Sequence, residues 1–344
     1  MSIVAHVRTK GDVISDTKKV MNLVNWSEHI DGDNVFIKVN YMSDQVIPGL
    51  CTSPWLLEGV LQELTSQGKR VTIGDADLAT SKQLVRAINR WGVVDICKKY
   101  NIKFVNLSNE PTTNKSTQIP DVIESIPIPN IILNADNVIT LPVAKTHYLT
   151  RLTCSLKNQW GTIPRFRQQY HPIADLLIPE INRILNVNLT IIDATICMEG
   201  EGPRTGIPKL VNSILASPDL VAADRCVQDI MGLSGEIKHI ENSAKMIKGS
   251  QLAYQVLGDP LETFKFIEAK KTIVTNFELL LRHVPILNTI IFKTGFFAIP
   301  SMIATKYNTF YYFKRYGIKY REKVLEQAPQ YKALYGILPG YQEH

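Results

Sequence analysis

Two hydrophobic patterns alternate along the first three quarters of the chain. Short, nearly unbroken apolar runs read as buried strands, and longer stretches with apolar residues three and four apart read as helices. Residues 34–39 (NVFIKV) form one such run, ending at Asn40 and a loop with Pro48 and Gly49. Residues 54–66 (PWLLEGVLQELTS) follow at helical spacing, with Thr52 and Ser53 as caps, Pro54 in the first turn and Gly68 as the stop. Residues 70–74 (RVTIG) are the next strand, which completes the βαβ signature of a parallel sheet.

The alternation continues with helices near 81–91 and 93–100 and a strand at 103–107. The polar, proline-punctuated stretch 111–129 reads as a loop or a short antiparallel excursion. Strand 137–143 (NVITLPV) runs directly into Ala144, Lys145, Thr146 and His147. Amphipathic segments 150–160 and 171–185 precede strand 188–194 (NLTIIDA), and residues 215–231 read as a core helix capped by Ser217 with Pro218 in its first turn. The expected fold class is α/β, with a mostly parallel central sheet covered by helices on both faces and a C-terminal helical appendage. The expected division is 1–261 for the α/β domain and 262–344 for the appendage, which is a lid, a dimer interface or a membrane-surface element.

Ligands of such sheets bind beyond the carboxyl ends of the strands. Lys38, Asn40, Asp75, Asp77, Lys145, His147, Asp193, Glu199 and Glu201 all fall just after expected strand ends. The densest block, 141–171, adds Arg151, Lys157, Asn158, Arg165, Arg167 and His171 and contains no carboxylate. That much uncompensated cation suits a carboxylate or phosphate ligand. The plainer alternative is a solvated basic helix face. His147 and His171 titrate near neutrality when unperturbed and are the candidates for proton transfer. With Glu199 they are also the candidate ligands for a divalent metal, although the 24 residues between the histidines fit no metal motif. The block after strand 188–194 (ICMEGEGPRTG) brings Gly200, Gly202 and Arg204 as substrate contacts. It is neither a Walker A loop nor a dinucleotide turn.

Composition adds limits. The 344 residues are 45% hydrophobic and 20% charged, which excludes a disordered or collagenous chain. The net charge of +6 is uneven: residues 1–261 carry 26 basic and 26 acidic side chains, and residues 262–344 carry 12 and 6. Five scattered cysteines with no C-x-x-C pair lead us to expect no iron–sulfur cluster held by this chain, and a reducing, cytoplasmic setting. The start of the chain lacks the pattern of a secretory signal. The apolar stretch 279–304 is broken by Arg282, His283, Pro285, Lys293 and Pro300, so a spanning helix is not expected.

VFIKVN (35–40), CTSP (51–54), GKRVTIGDAD (68–77), LPVAKTH (141–147), SLKNQWG (155–161), His171, IIDATICMEGEGPRTGIPK (191–209) and LASPDLVAADRCVQDIMG (215–232) together resemble the domain family DUF362. The resemblance covers roughly residues 30–260. It implies an α/β domain, often linked to iron–sulfur proteins through a fused ferredoxin module that this sequence lacks. The matching positions are Lys38, Asn40, Lys145, His147, Lys157, Asn158, Gly161, His171, Asp193, Glu199, Gly200, Gly202 and Pro203. The family has no general assigned reaction, so the resemblance marks a place and leaves the chemistry open.

The last quarter holds 16 of the 28 aromatic residues, interleaved with basic ones from Tyr307 onward. Packing on the core or on a second copy competes with a membrane-surface role; nucleic acid is disfavoured by so small a charge excess. Three functional readings follow. The first is an enzyme acting on a small anionic metabolite by acid–base chemistry, metal-assisted or not, with His147, His171, Lys145, Glu199 and Asp193 in the chemistry and Lys38, Asn40, Lys157, Asn158, Arg167, Gly200, Gly202 and Arg204 at the substrate. Proton-transfer, isomerase or lyase and redox reactions are all consistent with it. The second is a redox protein working with a separate ferredoxin-like partner. The third is a peripheral membrane or scaffold protein using the tail, with a homodimer as a further expectation.

Overall fold

The structure is a computed structural model and describes residues 1–78, 83–164, 167–270 and 306–342, with isolated positions between 284 and 303. Arg165, the start of the helix expected near residue 81 and most of the apolar stretch 279–304 lie outside the described residues.

The strands are β1 (Ser2–Arg8), β2 (Asn34–Lys38), β3 (Arg70–Asp75), β4 (Lys103–Asn106), β5 (Thr112–Ser116), β6 (Ser125–Pro129), β7 (Asn137–Thr140), β8 (Val143–His147), β9 (Arg151–Thr153), β10 (Leu189–Glu199), β11 (Ile207–Ser217) and β12 (Tyr254–Gly258). Ten of them form one mixed sheet in the order β12-β1-β11-β10-β7-β2-β3-β4, with β8 and β9 attached through β10. The run β10-β7-β2-β3-β4 is parallel throughout. The polar stretch 111–129 is an antiparallel hairpin of β5 and β6.

Helices α1 (Val13–Leu23), α2 (Pro54–Ser66), α3 (Leu84–Arg90) and α4 (Val93–Lys99) cover one face, against Val35 and Ile37 of β2. After the short α5 (Asn130–Leu133) come α6 (Ser155–Asn158), α7 (Ala174–Leu185), α8 (Leu220–Ile230) and α9 (Lys238–Met246), which cover the other face, against Phe36 and Ala194. The alternation of Val35, Phe36 and Ile37 between two apolar cores is what a strand buried on both sides requires. The fold is therefore α/β with a mostly parallel sheet and a helical C-terminal region.

That region begins with a π-helical segment, Tyr307–Gly317, followed by α10 (Ile318–Gln327), α11 (Pro329–Gly336) and α12 (Pro339–Gln342). Tyr312, Phe313, Val324, Leu325, Tyr331 and Tyr335 join the core on the α1–α4 face. Tyr335 meets Trp55 edge-on at 4.8 Å, and the Tyr331 hydroxyl hydrogen-bonds Asn212 at 2.9 Å. Among the described residues, no helix is long and apolar enough to cross a membrane.

Four local readings change. β1, β11 and β12 were not expected. β10 does not stop at Ala194 but runs to Glu199, because Asp193 is satisfied inside the sheet by the Thr195 hydroxyl at 2.7 Å. The segment 150–160 is a strand, one turn of α-helix and a 3-10 turn. The cap of α8 is Asp219, which accepts the Val221 N–H at 2.9 Å, and Ser217 is the last residue of β11.

Candidate functional site

The site is built where β2, β3, β7 and β8 end. Lys38 closes β2 beside the end of β3, and its ammonium donates to Asp75 Oδ1 at 2.6 Å and to the Val39 carbonyl at 2.7 Å. Asp75 is held in turn by the backbone N–H groups of Tyr41 (2.6 Å) and Ala76 (2.8 Å). Gly161 lies against this pair: a Cβ there would come within 2.9 Å of Lys38 Nζ, so the approach requires glycine.

Asn40 and Asn158 extend the network. The Asn40 amide donates to Asn158 Oδ1 at 3.2 Å, and the Asn158 amide donates to the Thr140 hydroxyl at 2.8 Å. Lys145, fully buried in β8, donates to Asn40 Oδ1 at 2.9 Å and to the Leu50 carbonyl at 2.5 Å. Burial pushes its pKa down to about 8, against the opposing effect of Cys51 and Asp75. Lys38 is likewise lowered by burial, with Asp75 opposing.

A second group stands beside the first. Lys157 sits on α6, a single turn that exists because Asp224 of α8 accepts the Ser155 and Leu156 N–H groups at 2.7 and 3.1 Å. Its ammonium lies over the Trp160 ring, 4.9 Å from the centroid, and makes no hydrogen bond among the described residues. Burial, reinforced by the nearby Arg167 charge, lowers its pKa to about 7. His171 stacks on the same indole at 5.5 Å and 14°. Arg167 is buried and tied to the Asp77 carbonyl at 2.9 Å and the Ile163 carbonyl at 3.3 Å.

His147 ends β8 with Nδ1 accepting the Leu149 N–H at 3.0 Å, which leaves the ring proton on Nε2. Burial holds it well below the usual imidazole pKa, and Lys157, His171, His239 and Lys145 add repulsion in that order. His239 of α9 is fully buried, and among the described residues neither of its ring nitrogens has a hydrogen-bond partner. Its pKa falls to about 3, through burial first and the Lys157 charge second. Both imidazoles are neutral at pH 7.

The remaining expected residues sit along β10 and its turn. Asp193 accepts the Ser53 N–H at 2.9 Å and pins the 51–54 loop to the sheet. Glu199 pairs with Lys209 at 2.9 Å and accepts the Ile267 N–H at 3.0 Å. Gly200, at φ +76°, is joined to β8 by the Thr146 hydroxyl on its carbonyl at 2.9 Å, and a Cβ at Gly202 would lie 2.0 Å from the Thr146 carbonyl. Arg204 is partly buried and makes no hydrogen bond among the described residues; burial lowers its pKa and Asp44 opposes.

Lys38, Asn40, Lys145 and Asn158 thus share one network, and Lys157, His147, His171 and Arg167 gather beside it. Glu199 points to other partners. Among the described residues no three His, Cys, Asp or Glu side chains converge to hold a metal, so His147, His171 and Glu199 do not fit a shared metal site. All five cysteines are buried and unpaired with one another. Open hollows of about 430 Å³ (against Val94, Cys97 and Phe104) and 590 Å³ (against Arg8, Asn212 and Gln330) lie elsewhere and carry no comparable chemistry. Sequence reasoning missed His239 and the role of Trp160. Trp160 stands inside a matched motif, and His239 alternates with Ile237 and Ile240 at a buried position of α9, the one signal that would have found it.

A family model described as "Domain of unknown function (DUF362)" matches residues 35–229. The chain belongs to the DUF362 family. The matched span contains every residue of both groups except His239. A thylakoid-associated protein of Synechocystis sp. is 26% identical over 211 residues, 59% of this DUF362 chain and 64% of that protein. Among solved structures, the lactate racemase apoprotein of Thermoanaerobacterium thermosaccharolyticum matches with a TM-score of 0.39 at 12% identity, over 71% of this chain and 57% of that one. A structural-genomics target from Thermotoga maritima matches with a TM-score of 0.35 at 11% identity, over 56% and 52%. The DUF362 chain therefore spans less than two thirds of the length of each of these proteins.

Proposed function

We propose that this protein is an enzyme acting on a small anionic metabolite, bearing a carboxylate or phosphate, by acid–base chemistry at the carboxyl ends of the strands. The observation that supports it is the charge balance of the buried site. Lys38, Lys145, Lys157 and Arg167 are all buried, and among the described residues only Lys38 has a carboxylate within ion-pair distance, while Asp175 acts on Lys157, Asp75 and Asp77 on Arg167, and Asp75 and Asp193 on Lys145 from farther away. Buried cations without counter-ions are costly unless an anion joins them. Lys145 and Arg167 are fixed by hydrogen bonds and supply a standing positive field, while Lys157 and Arg204, which make no hydrogen bond among the described residues, offer donors to the ligand. His171 moves the proton, and His147, whose Nε2–H is unengaged among the described residues, donates a hydrogen bond to the substrate. Asp193 and Glu199 hold the loop and the turn that frame the site.

The test uses a panel of small 2-hydroxy and 2-oxo acids in deuterated water, with exchange at the carbon next to the carboxylate followed by NMR. Enzyme-dependent exchange of at least one panel member is expected, with the His147→Ala variant slower by about 10²-fold. Equal exchange by that variant, with its fold intact by circular dichroism, would remove His147 from the chemistry.

A second reading has its own observation. The π-helical segment leaves Tyr307 (56% exposed), Phe310 (64%) and Tyr311 (42%) in solvent together with Lys306, Lys314 and Arg315, while Tyr312 and Phe313 anchor it to the core. An aromatic face flanked by cations suits an anionic membrane surface, and the Synechocystis relative is named a thylakoid-associated protein. Vesicles containing phosphatidylglycerol should carry the protein upward in flotation. The Tyr307→Glu/Phe310→Glu variant should remain at the bottom, and no flotation of the unmodified protein would exclude this reading. Deleting residues 262–344 is the wrong control, because Tyr331 and Tyr335 are part of the core.

A further inference from the structure

We infer that Lys157 is a covalent catalyst, its amine forming an imine with the carbonyl carbon of an anionic aldehyde or ketone. The inference rests on the reading of the site as one for an anionic metabolite and names the class of that metabolite. It begins with a contrast among the buried cations. The Lys38 ammonium is occupied by Asp75 and the Val39 carbonyl, Lys145 by Asn40 and the Leu50 carbonyl, and Arg167 by two backbone carbonyls. Lys157 is also buried, and among the described residues its nitrogen lies over the face of Trp160 and makes no hydrogen bond, with the Asp175 carboxylate acting on it electrostatically. A buried amine that makes no hydrogen bond has its lone pair available once it is neutral.

The surroundings favour that neutral form. Burial first and the Arg167 charge second act against the ammonium, and together they outweigh the opposing Asp175 carboxylate, which places the change of state near pH 7. The same Arg167 charge attracts the anionic end of a substrate, so the residue that activates the nucleophile also recruits its partner.

The step balances without an oxidant or reductant. The nitrogen lone pair adds to the carbonyl carbon, forming C–N as the C=O π bond opens and the oxygen takes a proton. The C–O bond then breaks, and the oxygen leaves as water with the two hydrogens the amine has given up. The resulting C=N, when protonated, draws electrons from the neighbouring C–H bond, and that acidified proton is the one His171 would move.

The test uses the full chain with pyruvate or glycolaldehyde phosphate as probe and sodium cyanoborohydride as trap at pH 7, followed by peptide mapping. One reduced adduct on Lys157 is expected with at least one probe, in at least tenfold excess over any other lysine. Lys157→Arg should abolish that adduct while retaining the fold. Labelling spread evenly over surface lysines, or none on Lys157, would overturn the imine. Quenching of Trp160 fluorescence by lactate, which has no carbonyl to trap, is measured in parallel against a Trp160→Phe control. Saturable quenching without an adduct defeats the imine alone, whereas neither quenching nor an adduct defeats the anionic-site reading with it.

Discussion

Replacing Asp75 by asparagine is expected to lower the free energy of unfolding by about 3–5 kcal/mol, the cost of leaving one member of a buried ion pair uncompensated. Both partners are buried, with side chains 1% and 8% exposed, so water cannot solvate the orphaned Lys38 ammonium. Asparagine preserves the volume but keeps a single acceptor oxygen, so either the Tyr41 or the Ala76 N–H loses its partner and the measured loss includes that hydrogen bond as well as the charge. The midpoint of urea unfolding measures the loss. A Lys38→Met/Asp75→Leu double variant should recover most of it, because two apolar side chains leave no buried charge behind. A loss under about 1 kcal/mol for Asp75→Asn would mean that the pair is hydrated and that the strand ends are open to solvent.

The position of this pair was legible in the sequence, because it depends on local signals. The runs NVFIKV and RVTIG are continuous and apolar, the helix between them is capped and stopped by proline and glycine, and a parallel sheet then places both strand ends together. Lys145 and His147, expected just after one strand 137–143, instead lie inside a second strand: β7 ends at Thr140, and β8 carries both residues beside β10 and β9. What escaped was whatever depends on a distant partner. β1 contains His6, a polar residue that breaks an apolar run until Ser213 of β11 and the Asp259 carbonyl satisfy its two ring nitrogens, both at 2.9 Å. β11 contains Pro208 and Asn212, the latter at φ +55°, and neither belongs in a strand by propensity. The single turn of α6 has no cap of its own and borrows Asp224, which lies 69 residues away. His239 reaches the charge field of Lys157 only because α9 packs against α7 and α8.

Asp224 also shows why a buried carboxylate need not be a catalyst. Burial raises its pKa to about 6, yet both oxygens face backbone N–H groups of α6. The perturbation comes from positioning Lys157 rather than from chemistry on a substrate. The sequence reading of Asp224 as part of a capped core helix therefore holds, with a further duty in trans to a second helix.

The Lys157→Met variant should be more stable than the unmodified protein at pH 7, and the advantage should disappear by about pH 10.5. The folded chain releases the Lys157 proton near pH 7, whereas the unfolded chain keeps it to the ordinary value of 10.5. Between those values the unfolded state binds more protons, so Lys157 makes stability rise with pH by up to about 1.4 kcal/mol per unit. Its contribution is complete above the unfolded value and lost as pH falls through about 7. Methionine fills a similar volume, has no charge to desolvate and removes that slope. Lys145, held at about 8, supplies a second slope that the variant retains, so the quantity to follow is the difference between the two proteins rather than either curve. Urea unfolding at a series of pH values from 6 to about 10.5 gives that difference directly. A gain at pH 7 on the order of 4 kcal/mol, shrinking steadily as pH rises, is the expected result. A difference that does not change with pH would show that Lys157 stays protonated in the folded protein, and would leave its amine no lone pair for the chemistry proposed above.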